Sequence, residues 1–391
     1  MKKTVLSFVI LTVLVFTSCI DDDSSIVAET TYAKEISDIN LDGVVAPATY
    51  TFERLGNTSV DYSGQTTRIK MLKELTTALK VSTNTEVALD GMFNHSANDV
   101  DFSDANLNAS SKNIRSKTAA SSDFFAGEVE GLTIKEYFDD IISSQVSEVF
   151  PNWATVAAPG TAGQISDGGS TRYVSSKGVE YNQLFAKGII GALQLDQALN
   201  NYMSKLSTDD NTTVSNNSTT MEYHLDEAYG YLLNPEDSSF FSNYLAKVNE
   251  NPNFSDIQYQ VEEAFKIARQ AIVDQKYNVR DQAIEVLRYQ VSKVVAIRAV
   301  HYLQSGKSQL NPGTMGGAFH DLSEGLGFVY SLRFVRKSDL TETYFTKTEV
   351  DGFLAELDAN NGFWDVTPTT LDAISDDIAN KFDFTVAQAA L

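Results

Sequence analysis

QTTRIKMLKELTTALK, residues 65–80, sets apolar Ile69, Leu72, Leu75 and Leu79 three or four positions apart, the spacing that gathers them on one face of an α-helix. The same period returns along the chain. Leu184, Ile189, Leu193 and Leu199 are core positions of a helix over residues 181–203, and amphipathic segments cover residues 257–275 and 280–304. Helix starts are written as capping pairs in Thr133-Ile-Lys-Glu136, ahead of the apolar stripe Tyr137, Ile141 and Ile142, and in Thr346-Lys-Thr-Glu349. Thr367-Pro368 places an N-cap before a proline at the first helical position. Between these lie irregular stretches. VAPATYTFERLGNTSVDYSG, from Val45, holds short β-prone pieces broken by Gly and Asn, and residues 94–127 read as a polar surface loop with short helical turns. Residues 153–178 are dense in Gly, Ser and Ala and too long for a tight connection, without phosphate-loop spacing. The chain is expected to be mainly α: two packed helical bundles behind a short irregular or β-prone N-terminal segment. The polar run STDDNTTVSNNSTT, residues 207–220, divides a first bundle with long loops, 45–210, from a second, 211–391.

MKKTVLSFVILTVLVFTSCIDDD opens the chain. Lys2 and Lys3 precede an apolar run over residues 4–16, shorter than the ~20 residues of a membrane span and matched to a signal peptide over 1–18. Cys19, the sole cysteine, follows small residues as in a bacterial lipobox, although Phe16 stands where Leu is usual. Lipidation at Cys19 would tie the chain to a membrane through an acidic tether, 19–44. Asp21, Asp22 and Asp23 resemble the export tag of Bacteroidota surface lipoproteins, which implies an exported outer-membrane lipoprotein displayed at the cell surface. One cysteine allows no intrachain disulfide.

The formal charge of −22 argues against nucleic acid, whose phosphates require a basic footprint, and against broad contact with anionic lipid. It would attract cations or a basic partner.

The chain has four histidines, and two of them head related motifs. Tyr223-His224-Leu-Asp-Glu227-Ala-Tyr-Gly230-Tyr231 and Phe319-His320-Asp-Leu-Ser-Glu324-Gly-Leu-Gly327-Phe328 both run aromatic, His, gap, Glu, two residues, Gly, aromatic. Gaps of three and four positions both keep imidazole and carboxylate on one helical face. Gly230 and Gly327 each cost about 1 kcal/mol of helix propensity relative to Ala, which suggests a packing or ligand reason. If the motifs meet, His224, Glu227, His320 and Glu324 make a plausible iron or zinc site, lined by Tyr223 and Phe319. Equally, each histidine could be a buried, hydrogen-bonded core residue. The glycine-rich Gly313-Thr-Met-Gly-Gly317 could hold an anion if it precedes a helix.

At these motifs the chain resembles the imelysin-like proteins, whose signature is Gly-x-His-x-x-Glu. His224 and Glu227 match its last part, Glu222 stands at the Gly position, and the second motif carries Ala318 and Ser323 with Glu324 one residue late. TYTFERLGNTSVDYSGQTTRIKMLKEL, residues 49–75, and AFHDLSEGLGF resemble a Bacteroidota lipoprotein family called domain of unknown function 4856. The imelysin resemblance implies two helical bundles with a site between them and a link to iron acquisition. The expected function is therefore a surface lipoprotein that binds a metal or metal complex. The alternatives are a metal-dependent peptidase or hydrolase, for which His-Glu-x-x-His is missing, and a non-catalytic partner of an outer-membrane uptake receptor.

Overall fold

Ile69, Met71, Leu72 and Leu75 are sealed from solvent on one side of α1 (Ser63–Ala78), as the period requires. The structure is a computed structural model and describes residues 32–340 and 342–391. The signal peptide, Cys19 and most of the tether lie outside the described residues.

The architecture is mainly helical. A two-rung hairpin, β1 (Glu53–Arg54) and β2 (Asn57–Thr58), precedes α1, and α2 (Glu86–Phe93), α3 (Ala105–Ala109) and α4 (Val129–Ser144) follow. A second antiparallel hairpin pairs β3 (Gly163–Asp167) with β4 (Ser170–Val174), Gly163 opposite Val174. Next, α5 (Tyr181–Ile189) runs without a break through a π-helix (Ile190–Tyr202) into α6 (Met203–Lys205). The remainder is α7 (Thr220–Leu232), α8 (Phe241–Asn249), α9 (Ile257–Val273), α10 (Tyr277–Ser308), α11 (Met315–Ser331), α12 (Lys347–Leu357), α13 (Pro368–Ala379) and α14 (Val386–Ala389).

The longest helix, α10, is the axis. Val286, Leu287, Val291, Val294, Val295, Ala299, Val300 and Leu303 bury it on most of its circumference, as expected of a helix apolar nearly all round. Against it pack α9, α11 and α13, and α11 in turn packs on α5. Tyr32–Leu391 is one unit. The boundary expected near residue 210 falls between α6 and α7, and the elements on its two sides share packing: α7 lies on the π-helix and α11 on α5.

Three local expectations change. Thr133 does not start a helix: α4 begins at Val129 after Glu128, and the Thr133 hydroxyl donates to the Val129 carbonyl four residues back. The tract 153–178 is not open loop, because Gly163–Val174 folds into the β3–β4 hairpin. Nor is Gly316-Gly317 an open anion site. A Cβ on Gly316 would lie 2.2 Å from the Ser166 carbonyl oxygen, and one on Gly317 2.2 Å from Gln309 Oε1, so the hairpin and Gln309 cover that helix start.

The π-helix is buried along its whole length, polar residues included. Its side chains satisfy backbone from distant segments. Asp196 Oδ2 accepts from the N–H groups of Ala120 and Ser121 at 2.8 and 2.9 Å, Gln194 Nε2 donates to the Tyr231 carbonyl at 2.6 Å, and Asn200 Nδ2 donates to the Phe334 carbonyl at 3.2 Å. Most buried polar groups in proteins are partnered in this way.

Where α5 meets α11 the backbones touch. A Cβ on Gly327 would stand 2.5 Å from Lys187 Cβ and 2.9 Å from the Gly188 nitrogen, and one on Gly191 would stand 2.5 Å from Ser331 Cα. Ser331 Oγ donates to the Lys187 carbonyl at 2.8 Å and accepts from the Gly191 N–H at 3.0 Å. Gly327→Ala should therefore cost at least about 1–3 kcal/mol through overpacking. Gly352→Ala in α12, where a Cβ meets nothing within 4 Å, should stabilise by up to about 1 kcal/mol. Urea denaturation of both variants checks this, and a neutral Gly327→Ala contradicts the close contact.

Candidate functional site

On α11 the second histidine motif divides between core and site. Phe319 is fully buried, edge-on to Trp364 at 4.7 Å, and Gly327 seats the helix on α5. His320 and Glu324 turn toward the start of α5, with His320 Nε2 3.5 Å from Glu324 Oε1. His320 Nδ1 lies 3.0 Å from Glu180 Oε2 and 3.0 Å from Arg172 Nη1. Lys187 Nζ pairs with Glu324 Oε1 at 2.9 Å and donates to Gln183 Oε1 at 2.5 Å. The Glu180 backbone N–H donates to Ser323 Oγ at 2.8 Å, which fixes this N-cap residue of α5 against α11. Burial acts to raise the Glu324 carboxyl, but the Lys187 ammonium, the Tyr302 hydroxyl and His320 outweigh it and hold the group below its ordinary range. Two buried oxygens, Glu180 Oε1 and Glu324 Oε2, accept no hydrogen bond. The cation nearest Glu180 Oε1 is Arg172, whose Nε is 3.9 Å away.

The first motif, on α7, is arranged differently. His224 Nδ1 lies 2.7 Å from Asp209 Oδ2, and its ring rests against Tyr202 at 5.6 Å. Glu227 Oε1 accepts from Gln65 Nε2 at 2.9 Å. Tyr223 is at the surface, and Gly230 lies under Tyr62, whose Cβ would be 2.2 Å from an added Cβ. The stronger charges of α7 are two acids other than Glu227: Glu222, just before the motif, and Asp226, in its gap. Glu222 accepts from Arg54 at 2.8 and 3.0 Å and from Arg269 at 2.8 Å, while Asp226 Oδ1 accepts from Arg269 Nε at 3.0 Å and from the Tyr50 hydroxyl at 2.7 Å. This clamp ties the first hairpin and α9 to α7. It is structural.

Among the described residues no hydrogen bond or ion pair joins the two motifs, and no group of three or more His, Cys, Asp or Glu is placed to hold a metal ion. The donor chemistry explains the second point. At His320 the positions beside both carboxylates are held by cations of the chain, Arg172 and Lys187, and at His224 a single carboxylate, Asp209, faces the ring. A metal at His320 would have to displace two cations. The remaining histidines serve structure: His95 is buried between Asp101 and the Asn108 carbonyl, and His301 Nδ1 meets the Ala389 carbonyl.

The charged set opens onto a groove along the first turns of α5. One lobe, about 300 Å³, runs from Lys73, Thr76 and Lys80 across Asn182, Gln183 and Lys187 to Asn243 and Tyr244. A second, about 240 Å³, shares Lys80, Asn182 and Gln183 and reaches Glu180, Arg172, Tyr173 and Trp153. Trp153 and Tyr173 stack with ring centres 3.5 Å apart and planes 8° from parallel. Glu180, Arg172 and the stacked pair carry no sequence motif.

Residues 47–385 match the family model "Domain of unknown function (DUF4856)", and the chain belongs to that family. No curated protein and no solved structure matches the chain.

The clamp on α7 has a pH signature. Burial pushes the Asp226 carboxyl up to about 7 from 3.8, against Arg269 and the Tyr50 hydroxyl, in keeping with its buried, partnerless Oδ2. A carboxyl raised in this way keeps its proton in the folded chain where the unfolded chain has lost it. Its contribution is full below about pH 4 and is lost as pH rises through about 7. Asp226→Asn should remove that part of the decline in urea midpoint between about pH 5 and about pH 8. An unchanged slope contradicts the assignment.

Proposed function

We propose that this member of the family is a binding protein rather than a catalyst, and that a small hydrophilic molecule lies in the groove along the start of α5. One observation carries the reading: the two lobes meet at Lys80, Asn182 and Gln183, and of these Lys80 and Asn182 make no side-chain hydrogen bond or ion pair among the described residues. Uncommitted polar groups that line a concave site are the ones that fix a ligand's orientation. The walls add carboxamides at Asn182, Gln183 and Asn243, groups that orient a ligand by donating and accepting. Lys187 and Arg172 are spent on Glu324, Glu180 and His320, which suits a fixed recognition surface more than a reacting centre.

An iron or zinc centre on His224, Glu227, His320 and Glu324 has less support, because Arg172 and Lys187 already neutralise the carboxylates beside His320. The apolar run over residues 4–16 and Cys19 support export and a lipid anchor for this binding unit.

Two measurements test the proposal together. In a thermal-shift screen of hydrophilic solutes, a ligand at a hundred times its Kd should stabilise the chain by about 2.7 kcal/mol. The double variant Asn182→Ala/Asn243→Ala, at two groove residues without a side-chain hydrogen bond among the described residues, should lose the shift and keep the ligand-free Tm. Elemental mass spectrometry of protein purified without chelator should give no stoichiometric iron or zinc. Stoichiometric metal that disappears in His224→Ala/His320→Ala would overturn the proposal in favour of a metal centre.

A further inference from the structure

The ligand class can be read from which groove groups are free. Lys80, shared by both lobes, makes no side-chain hydrogen bond or ion pair among the described residues. Lys73 is paired with Asp237 at 3.3 Å, Lys187 with Glu324 at 2.9 Å, and Arg172 with Asp167 at 2.7 Å. The groove therefore offers one uncommitted cation. That suits a single carboxylate; a polyphosphate would call for several. The Asn182 carboxamide is equally uncommitted among the described residues. In the second lobe the stacked, half-buried Trp153 and Tyr173 present flat aromatic surface to a ligand that must also satisfy these polar groups. A molecule with an apolar C–H face, a rim of hydroxyls that both donate and accept, and one carboxylate meets all three demands.

We infer that the groove binds a carboxylated saccharide laid across the two lobes, with its carboxylate on Lys80, hydroxyls on the Asn182 carboxamide, and a ring face on the Trp153–Tyr173 pair. This rests on the groove being the binding site. The two ends of the ligand are distinguished by chemistry: Lys80 reads the charge, and the aromatic pair reads the sugar ring. The chain as a whole is acidic, so the preference for an anion is local to this cation.

The test is isothermal titration of the full chain with short oligomers of galacturonate, glucuronate and mannuronate, and with their neutral hexose counterparts. At least one uronate oligomer should bind and its neutral counterpart should bind at least about tenfold more weakly. Lys80→Ala should erase that difference and retain residual binding of the ring. Trp153→Ala should abolish both, and Trp153→Phe should restore part. Far-ultraviolet circular dichroism and Tm report on folding of each variant. Equal binding of neutral and acidic oligomers, insensitive to Lys80→Ala but lost in Trp153→Ala, would overturn the carboxylate and leave the groove standing. Failure of every saccharide, while another solute gives a thermal shift lost in Asn182→Ala/Asn243→Ala, would overturn the saccharide and leave the groove standing. Saccharide binding untouched by Lys80→Ala and Trp153→Ala would overturn both this inference and the groove.

Discussion

The backbone contact between α5 and α11 is the constraint on which the candidate site depends. Gly327 has no room for a Cβ against Lys187 and Gly188, and Gly191 has none against Ser331. Ser331 Oγ stitches the helices by bonding the Lys187 carbonyl and the Gly191 N–H. With the axes held this close, Lys187 must emerge beside Glu324, and Glu180, about two turns before, must emerge beside His320 and Ser323. The glycines cost helix propensity and allow the approach; the approach fixes Lys187, His320 and Glu324 on facing helices, and Glu180, the N-cap in the connection before α5, is held by Ser323. A site built on helix faces in this way is stiffer than one carried by the connections.

The chain is strongly acidic, yet the buried charges of α7 and of the α5–α11 contact are balanced locally. Arg269 between Glu222 and Asp226 and Lys187 beside Glu324 are each cations placed inside against carboxylates. Such pairs add little net stability compared with apolar packing, but losing one member leaves an uncompensated buried charge. They specify geometry: the α7 clamp secures the first hairpin and α9, and the α5–α11 pair secures the groove floor.

Much of the fold was legible because periodicity is local. The spacing in residues 65–80, 257–275 and 280–304 corresponds to α1, α9 and α10, and the caps at Thr346 and Thr367 sit at the starts of α12 and α13. What escaped was non-local. The π-helix buries Gln194, Asp196 and Asn200 because Ala120, Tyr231 and Phe334 bring backbone partners from elsewhere, and no window of sequence contains those partners. For the site, the His320–Glu324 pair follows from i, i+4 spacing, whereas Glu180 and Arg172 reach His320 from well over a hundred residues upstream. The similarity of the two histidine motifs is a similarity of helix faces. Each histidine meets a different acid, Asp209 in one case and Glu180 in the other.

The most direct test of this account is a double-mutant cycle on Lys187 and Glu324, using Lys187→Met and Glu324→Leu with stability read by urea denaturation. Each single variant leaves a buried charge without its partner and should cost about 3–5 kcal/mol, while the double variant should recover most of that loss. Additive losses would mean that the two side chains do not share one buried site, and would contradict the contact between α5 and α11 from which the groove is built.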